Sequence, residues 1–273
     1  MKYKLCISLV MGLLTAFPLW ALKPEKEYKI TPDEYGIDYE KVTIDTEDGM
    51  KLRGWIYKPR EASSKIIVMS HSGEGNMADL IELATNFVTL GYYVITYDYR
   101  GYGESSDFKI NTNFYTYAQF EKDLNGVMDY VKKYYSRTRT VHMWGVGMGA
   151  GLSLAVAANR QEVSAVISDS PYATLEGVKA NIQKASGKEL LLPLGYNKVA
   201  IEPQYALTEK GNNLTSILFI SGEADDTYTL KDVKSLAKLK KNTNIYTVKG
   251  GTYKTNFTTD KAKYFEEIKK FTK

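Results

Sequence analysis

Cysteine is nearly absent from this chain: Cys6 is the only one in 273 residues. No intramolecular disulfide and no cysteine-built zinc site can form. Histidine is almost as scarce, with only His71 and His142. Any chemistry that needs an imidazole must use one of these two. An excess of one charge is also missing. Thirty-six Lys and Arg stand against 32 Asp and Glu, a net +4 that is too small and too scattered to imply nucleic-acid binding. There is no internal repeat and no low-complexity tract. What is present is ordinary for a folded protein: 44% hydrophobic and 25% charged residues. A chain of this length buries roughly 70–75% of its unfolded surface, so its core needs no covalent staples.

The first segment reads as an address. Met1-Lys2-Tyr3-Lys4 is a basic start, and Leu5 to Leu22 then carries no charge over 18 residues. Pro18-Leu19-Trp20-Ala21 precedes the return of charge at Lys23. This is the pattern of a secretory signal peptide, residues 1–21, with cleavage after Ala21. The expected location is exported, periplasmic or secreted. The other reading is a membrane anchor, residues 5–22, which just reach spanning length. Residues 22–38 form an N-terminal arm, and residues 39–273 form one domain.

Within that domain strands and helices alternate. Tyr39–Thr46 and Met50–Lys58 read as strands joined by a turn at Glu47-Asp48-Gly49. The run Lys65–Ser70 reads as a strand buried on both faces. Helical spacing covers Ala78–Leu90 and Phe114–Tyr134. Strands at Tyr92–Tyr97, Thr140–Trp144, Val163–Ser168, Ser216–Ser221 and Asn244–Val248 alternate with helices at Gly149–Asn159, Leu230–Leu239 and Thr259–Phe271. The repeated order implies an α/β architecture, with a mostly parallel, doubly wound sheet of about eight strands. Residues 171–211 break the rhythm and read as a short cap insertion.

In such sheets function gathers at the carboxyl ends of the strands. Three of those ends carry signal: His71-Ser72-Gly73-Glu74-Gly75-Asn76, Asp98-Tyr99-Arg100-Gly101-Tyr102-Gly103-Glu104-Ser105, and Gly145-Val146-Gly147-Met148-Gly149. With a late Gly222-Glu223-Ala224-Asp225, they resemble the α/β-hydrolase superfamily, and within it the small serine-aminopeptidase-like or BEM46-like hydrolases. The resemblance spans about residues 39–273. It implies an α/β-hydrolase fold and a nucleophilic serine on a strand-to-helix elbow, helped by a histidine that an aspartate orients. It also implies an oxyanion site around His71, Ser72, Gly73 and Met148.

This sequence departs from that pattern at the reacting groups. The nucleophile position holds Gly147, which has no side chain. Asp225 stands where the orienting aspartate falls. Tyr253 stands where the histidine is expected. Ser72 replaces the glycine that usually follows the loop histidine. His71 and His142 both read as structural. No triad is intact, and the expectation is a pseudo-hydrolase that binds a small ligand or a protein partner. If Tyr253 replaces the ring, its hydroxyl is expected to donate to Asp225.

Two alternatives stay open at this point. One is an active esterase or peptidase-like enzyme with a relocated group, for which Ser72, Ser105, Ser106 and Ser170 lie near strand ends. The other is nucleotide binding, because Gly145-Val146-Gly147-Met148-Gly149-Ala150 also fits G-x-G-x-x-A with Asp169 further on. Asp98 and Asp169 could hold a cation, but no spacing demands a metal, and no cofactor is expected. The 22 tyrosines could form a sugar-binding face or simply reflect composition. Asn213-Leu214-Thr215 and Asn256-Phe257-Thr258 fit a glycosylation pattern that matters only in a eukaryotic secretory route.

Overall fold

A computed structural model describes residues 22–273. The signal-peptide or anchor segment, residues 1–21, lies outside the described residues. Eight strands form one sheet: β1 (Tyr39–Asp45), β2 (Lys51–Tyr57), β3 (Lys65–Ser70), β4 (Tyr92–Tyr97), β5 (Thr140–Val146), β6 (Val163–Asp169), β7 (Ser216–Gly222) and β8 (Thr243–Val248). Their spatial order is β8-β7-β6-β5-β3-β4-β2-β1. The β1–β2 and β2–β4 pairs are antiparallel, and the other five are parallel.

Side-chain pattern explains the placement. β1 alternates, burying Val42 and Ile44, so it can take an edge with one face in water. From Ile66 to Ser70 every residue of β3 is buried, so β3 must be covered on both faces. It lies between β4 and β5. Helices α1 (Ile81–Thr89) and α9 (Lys261–Phe271) cover one face with Leu83, Phe87, Tyr264 and Ile268. Helices α2 (Gln119–Tyr134), α3 (Met148–Asn159) and α7 (Leu230–Ala237) cover the other with Leu124, Leu152 and Val233.

Two of the expected helices depart from the periodicity. Phe114–Ala118 is not helical. The Tyr115 N–H donates to the Leu191 carbonyl (3.0 Å) and the Leu191 N–H to the Asn113 carbonyl (2.8 Å), so pairing with the insertion holds this stretch extended. The last helical segment is split into α8 (Asn256–Thr259) and α9 because the Asp260 carboxylate caps the Lys263 N–H and starts a new helix. The insertion holds α4 (Leu175–Ser186), α5 (Lys198–Ile201) and α6 (Pro203–Glu209). Its second half packs back onto α3, and Leu191 and the Tyr172 ring reach across to the 113–115 stretch.

The arm is fixed to the body. Lys23-Pro24 pairs in parallel with Glu74-Gly75. Leu22 is fully buried, and a Cβ placed on Gly73 would lie 3.0 Å from its Cδ2. The Tyr28 hydroxyl donates to Asp98 at 2.6 Å.

Candidate functional site

The strand-to-helix turn is built with glycine at its apex. β5 runs into α3 through Gly147, at φ 59° and ψ −120°. A Cβ on Gly145 would come within 2.4 Å of the Gly149 carbonyl, and one on Gly149 within 2.4 Å of the His71 carbonyl. Strand, helix and the His71 loop therefore approach too closely for any side chain at these two positions.

The space above Gly147 is filled. A Cβ built there lies 3.2 Å from the Tyr228 hydroxyl and 3.4 Å from the Ser72 Cβ. The Met148 backbone N–H interacts with the same hydroxyl oxygen. The Tyr115 hydroxyl donates to it as well, at 3.3 Å. Tyr228 is 5% exposed, and burial raises its hydroxyl far above the usual tyrosine range. Sequence reasoning missed this residue. It follows Asp225 by three positions, but nothing in its local pattern says that its ring turns toward Gly147.

Asp225 is satisfied by backbone alone. Its Oδ1 accepts from the N–H groups of Thr227 (3.0 Å) and Tyr228 (2.8 Å), and its Oδ2 accepts from the Tyr253 N–H (2.6 Å). Burial raises this carboxyl despite those donors. The expected bond from the Tyr253 hydroxyl is not formed. That hydroxyl donates to Glu74, which also pairs with Lys254 at 2.8 Å. The physical reason is that three N–H groups already supply Asp225, whereas Glu74 faces the tyrosine tip. Asp225 and Tyr253 are thus neighbours through the main chain. Next to them a cavity of about 400 Å³ is lined by Ser72, Glu74, Val146, Tyr253, Lys254 and Phe257 among others.

Neither histidine reaches this site as a base. His71 is buried among Tyr99 and Tyr102, and its Nδ1 accepts the Gly73 N–H at 3.2 Å. Burial lowers it to about 3, so it is neutral. The Gly73 N–H, from the expected oxyanion loop, is thereby occupied inside that loop. His142 bonds the Tyr92 hydroxyl at 2.9 Å within the sheet, and burial lowers it to about 4. Among the described residues, no serine hydroxyl bonds either imidazole. Ser72 accepts the Glu74 N–H, Ser105 bonds the Asp98 carbonyl, Ser106 accepts the Lys51 N–H, and Ser170 bonds Asp169.

The dinucleotide reading of the elbow does not fit. The first turn of α3 is buried, with Tyr228 at its mouth and the Ser70 and His71 carbonyls against Gly149, which leaves no room for a pyrophosphate. Asp169, which would meet a ribose, is enclosed by Asn256 (2.7 Å), Ser170 and Tyr264 (2.8 Å), and burial raises it to about 7. Asp98 likewise rises to about 7 and accepts from Tyr28 and the Met77 N–H. Among the described residues no cluster is arranged to hold a metal. The tyrosine abundance is largely core: Tyr97, Tyr99, Tyr102, Tyr115, Tyr172 and Tyr264 are all buried. Asn256 is buried, and the Asn213 amide bonds the carbonyls of Ala157, Arg160 and Val163, so neither offers a free acceptor nitrogen.

The sequence profile of the serine aminopeptidase, S33, family matches residues 61–246. The chain belongs to that family. The uncharacterized membrane protein YNL320W of Saccharomyces cerevisiae is 36% identical over 90 residues, covering 33% of this chain and 31% of that protein. Protein bem46 of Schizosaccharomyces pombe is 24% identical over 219 residues, covering 78% and 68%. Among solved structures, the Pyrococcus furiosus esterase Pf2001 superposes with a TM-score of 0.72 at 19% identity, covering 91% of this chain and 98% of that one. At that identity the likeness shows the α/β-hydrolase fold.

Proposed function

We propose that this serine aminopeptidase family member is an exported pseudo-hydrolase, which binds a small ligand or a protein partner beside its remodelled cleft. The observation that carries the reading is the Tyr228 hydroxyl over Gly147, where a nucleophile's oxygen would have to sit. Chemistry of this family needs an activated oxygen at the elbow, a base beside it and free donors for the oxyanion. Here the oxygen is gone and the Met148 N–H meets a tyrosine. Tyr253 brings a hydroxyl raised far above neutral pH by burial in place of an imidazole. The ligand site of this reading is the cavity of about 400 Å³ between Ser72, Glu74 and Tyr253. The export part rests on residues 1–21, and the mass of the mature protein tests it, with Leu22 as the expected first residue.

Activity is tested with a fluorophosphonate probe and short-chain nitrophenyl esters. The natural chain should match a heat-denatured control. Gly147→Ser alone should stay inert, because its Cβ would already crowd the Tyr228 hydroxyl at 3.2 Å. The smallest change that could restore ester cleavage is therefore Gly147→Ser with Tyr228→Ala and Tyr253→His. Turnover by the natural chain that disappears in Ser72→Ala, Ser105→Ala, Ser106→Ala or Ser170→Ala would overturn the reading and establish a relocated nucleophile.

A further inference from the structure

We propose that the groove along Gly73–Asn76 is a docking site for an extended peptide of a partner protein, and that residues 22–28 of the chain are its built-in competitor. This rests on the reading of the cleft as a binding site and names the chemistry of the partner. The arm lies in the groove as a bound peptide would. The Lys23 N–H donates to the Gly73 carbonyl (2.8 Å) and the Glu25 N–H to the Gly75 carbonyl (3.1 Å). The Gly103 N–H donates to the Glu25 carbonyl (3.0 Å), and the Asn76 side-chain amide donates to the carbonyls of Glu25 (3.3 Å) and Glu27 (2.9 Å). All of these bonds end on main-chain atoms of the arm, which every peptide shares. Two side chains add selection. Leu22 is fully buried and meets Met148 over Gly73, where a Cβ would lie 3.0 Å from the leucine and 3.1 Å from the methionine. Tyr28 donates to Asp98, and a Cβ on Gly103 would collide with both that hydroxyl and that carboxylate. Lys23, Lys26 and Glu27 between them are exposed.

The groove is larger than its occupant. Cavities of about 510 Å³ and 400 Å³ border the arm. Glu25 and Lys29 line both, so the arm is the partition between them. Ile37 and Ile81 stand in the first, Trp144 and Phe257 in the second. These walls offer apolar room that the charged side chains of the arm do not fill. The hold on the arm is also short. Strand pairing covers two residues, and Leu22 is the one buried side chain among residues 22–28. Segments held by so few contacts open at far lower cost than the whole fold. A peptide that keeps the main-chain bonds, supplies leucine and tyrosine at the same spacing and fills the bordering cavities displaces the arm. The tether makes the arm a competitor at an effective concentration of about millimolar, so partner binding and arm release are coupled.

The probe is a synthetic peptide of residues 22–30 with a fluorophore on its last residue, and binding is read as anisotropy. It is titrated with the natural chain and with the Leu22→Ala variant, whose circular dichroism should match. The variant should bind the peptide about tenfold more tightly, because its tethered competitor has lost one buried leucine. A peptide carrying Leu22→Asp and Tyr28→Phe should bind neither protein. A second measurement needs no variant. In the isotope-labelled natural chain, saturating unlabelled peptide should speed amide hydrogen exchange at Lys23 and Glu25, while Gly103 stays protected by the peptide that takes the arm's place. No binding to either protein overturns the proposal. So does equal affinity of the two proteins, equal binding of the altered peptide, or unchanged exchange of the arm amides at saturation. Ester turnover by the natural chain would overturn the reading of the cleft and leave the peptide result standing, whereas failed peptide binding by an inert chain overturns this proposal alone.

Discussion

The segment Asp98–Ser105 and the elbow with its acid loop both carry family pattern, yet the fold uses them differently. At the elbow the strand-to-helix backbone turns at Gly147, which carries no side chain, and Tyr228 stands over it. In the Asp98–Ser105 segment the polar side chains are employed by the fold. Arg100 bonds Asp123 and, through two nitrogens, Asp48, which clamps the β1–β2 turn to α2. Tyr102 donates to the Gly73 carbonyl at 2.8 Å, and Ser105 bonds the Asp98 carbonyl at 2.8 Å. A residue needed by packing and hydrogen bonding is costly to remove whether or not the protein catalyses anything. A residue needed only by chemistry is not. Asp225 is also employed by the fold: three N–H groups close its loop on it.

The sharpest way to break this comparison is at Arg100. Arg100→Met should destabilise the fold by about 3–5 kcal/mol, because it takes the ion-pair partner from the fully buried Asp123 carboxylate and leaves it only the main-chain N–H of residue 100. Urea unfolding measures it, and a loss below 1 kcal/mol would show that the clamp is not structural.

A second test uses pH. Asp169 is raised to about 7 in the folded chain, above the ordinary value near 3.8. Between those values the folded state holds a proton that the unfolded state has released, so this group's contribution to stability falls as pH rises. Asp169→Asn removes that dependence. Its stability relative to the natural chain should increase with pH across roughly 4 to 7, by up to about 1.4 kcal/mol per unit. Urea midpoints at three pH values would reveal it. A constant difference would mean that Asp169 is charged in the fold.

The smallest effect is expected at Tyr253. Tyr253→Phe loses the bond to Glu74 but leaves the Asp225 loop closed, since that closure uses the Tyr253 N–H. The cost should be about 0.5–1.5 kcal/mol in thermal or urea unfolding. A larger loss, removed by also changing Glu74→Gln, would show that the Glu74 Oε1 left without its donor, and not the missing hydroxyl itself, dominates.

The sequence by itself determined the order of strands and helices, the continuous apolar run of β3, and the lack of a side chain at Gly147. These are local properties, carried by period and residue type. It also excluded an imidazole after Asp225 by simple count. Tertiary structure decided what fills the resulting space. Tyr228 reaches Gly147 only because β7 brings its loop beside the elbow, and Glu74 takes the Tyr253 hydroxyl across 179 positions of sequence. It decided that Phe114–Ala118 is extended, because Leu191 offers it main-chain partners that no helical period records. Hydrogen-bond partners and close approaches are set by distances between segments far apart in the chain, and those distances exist only once the sheet has assembled.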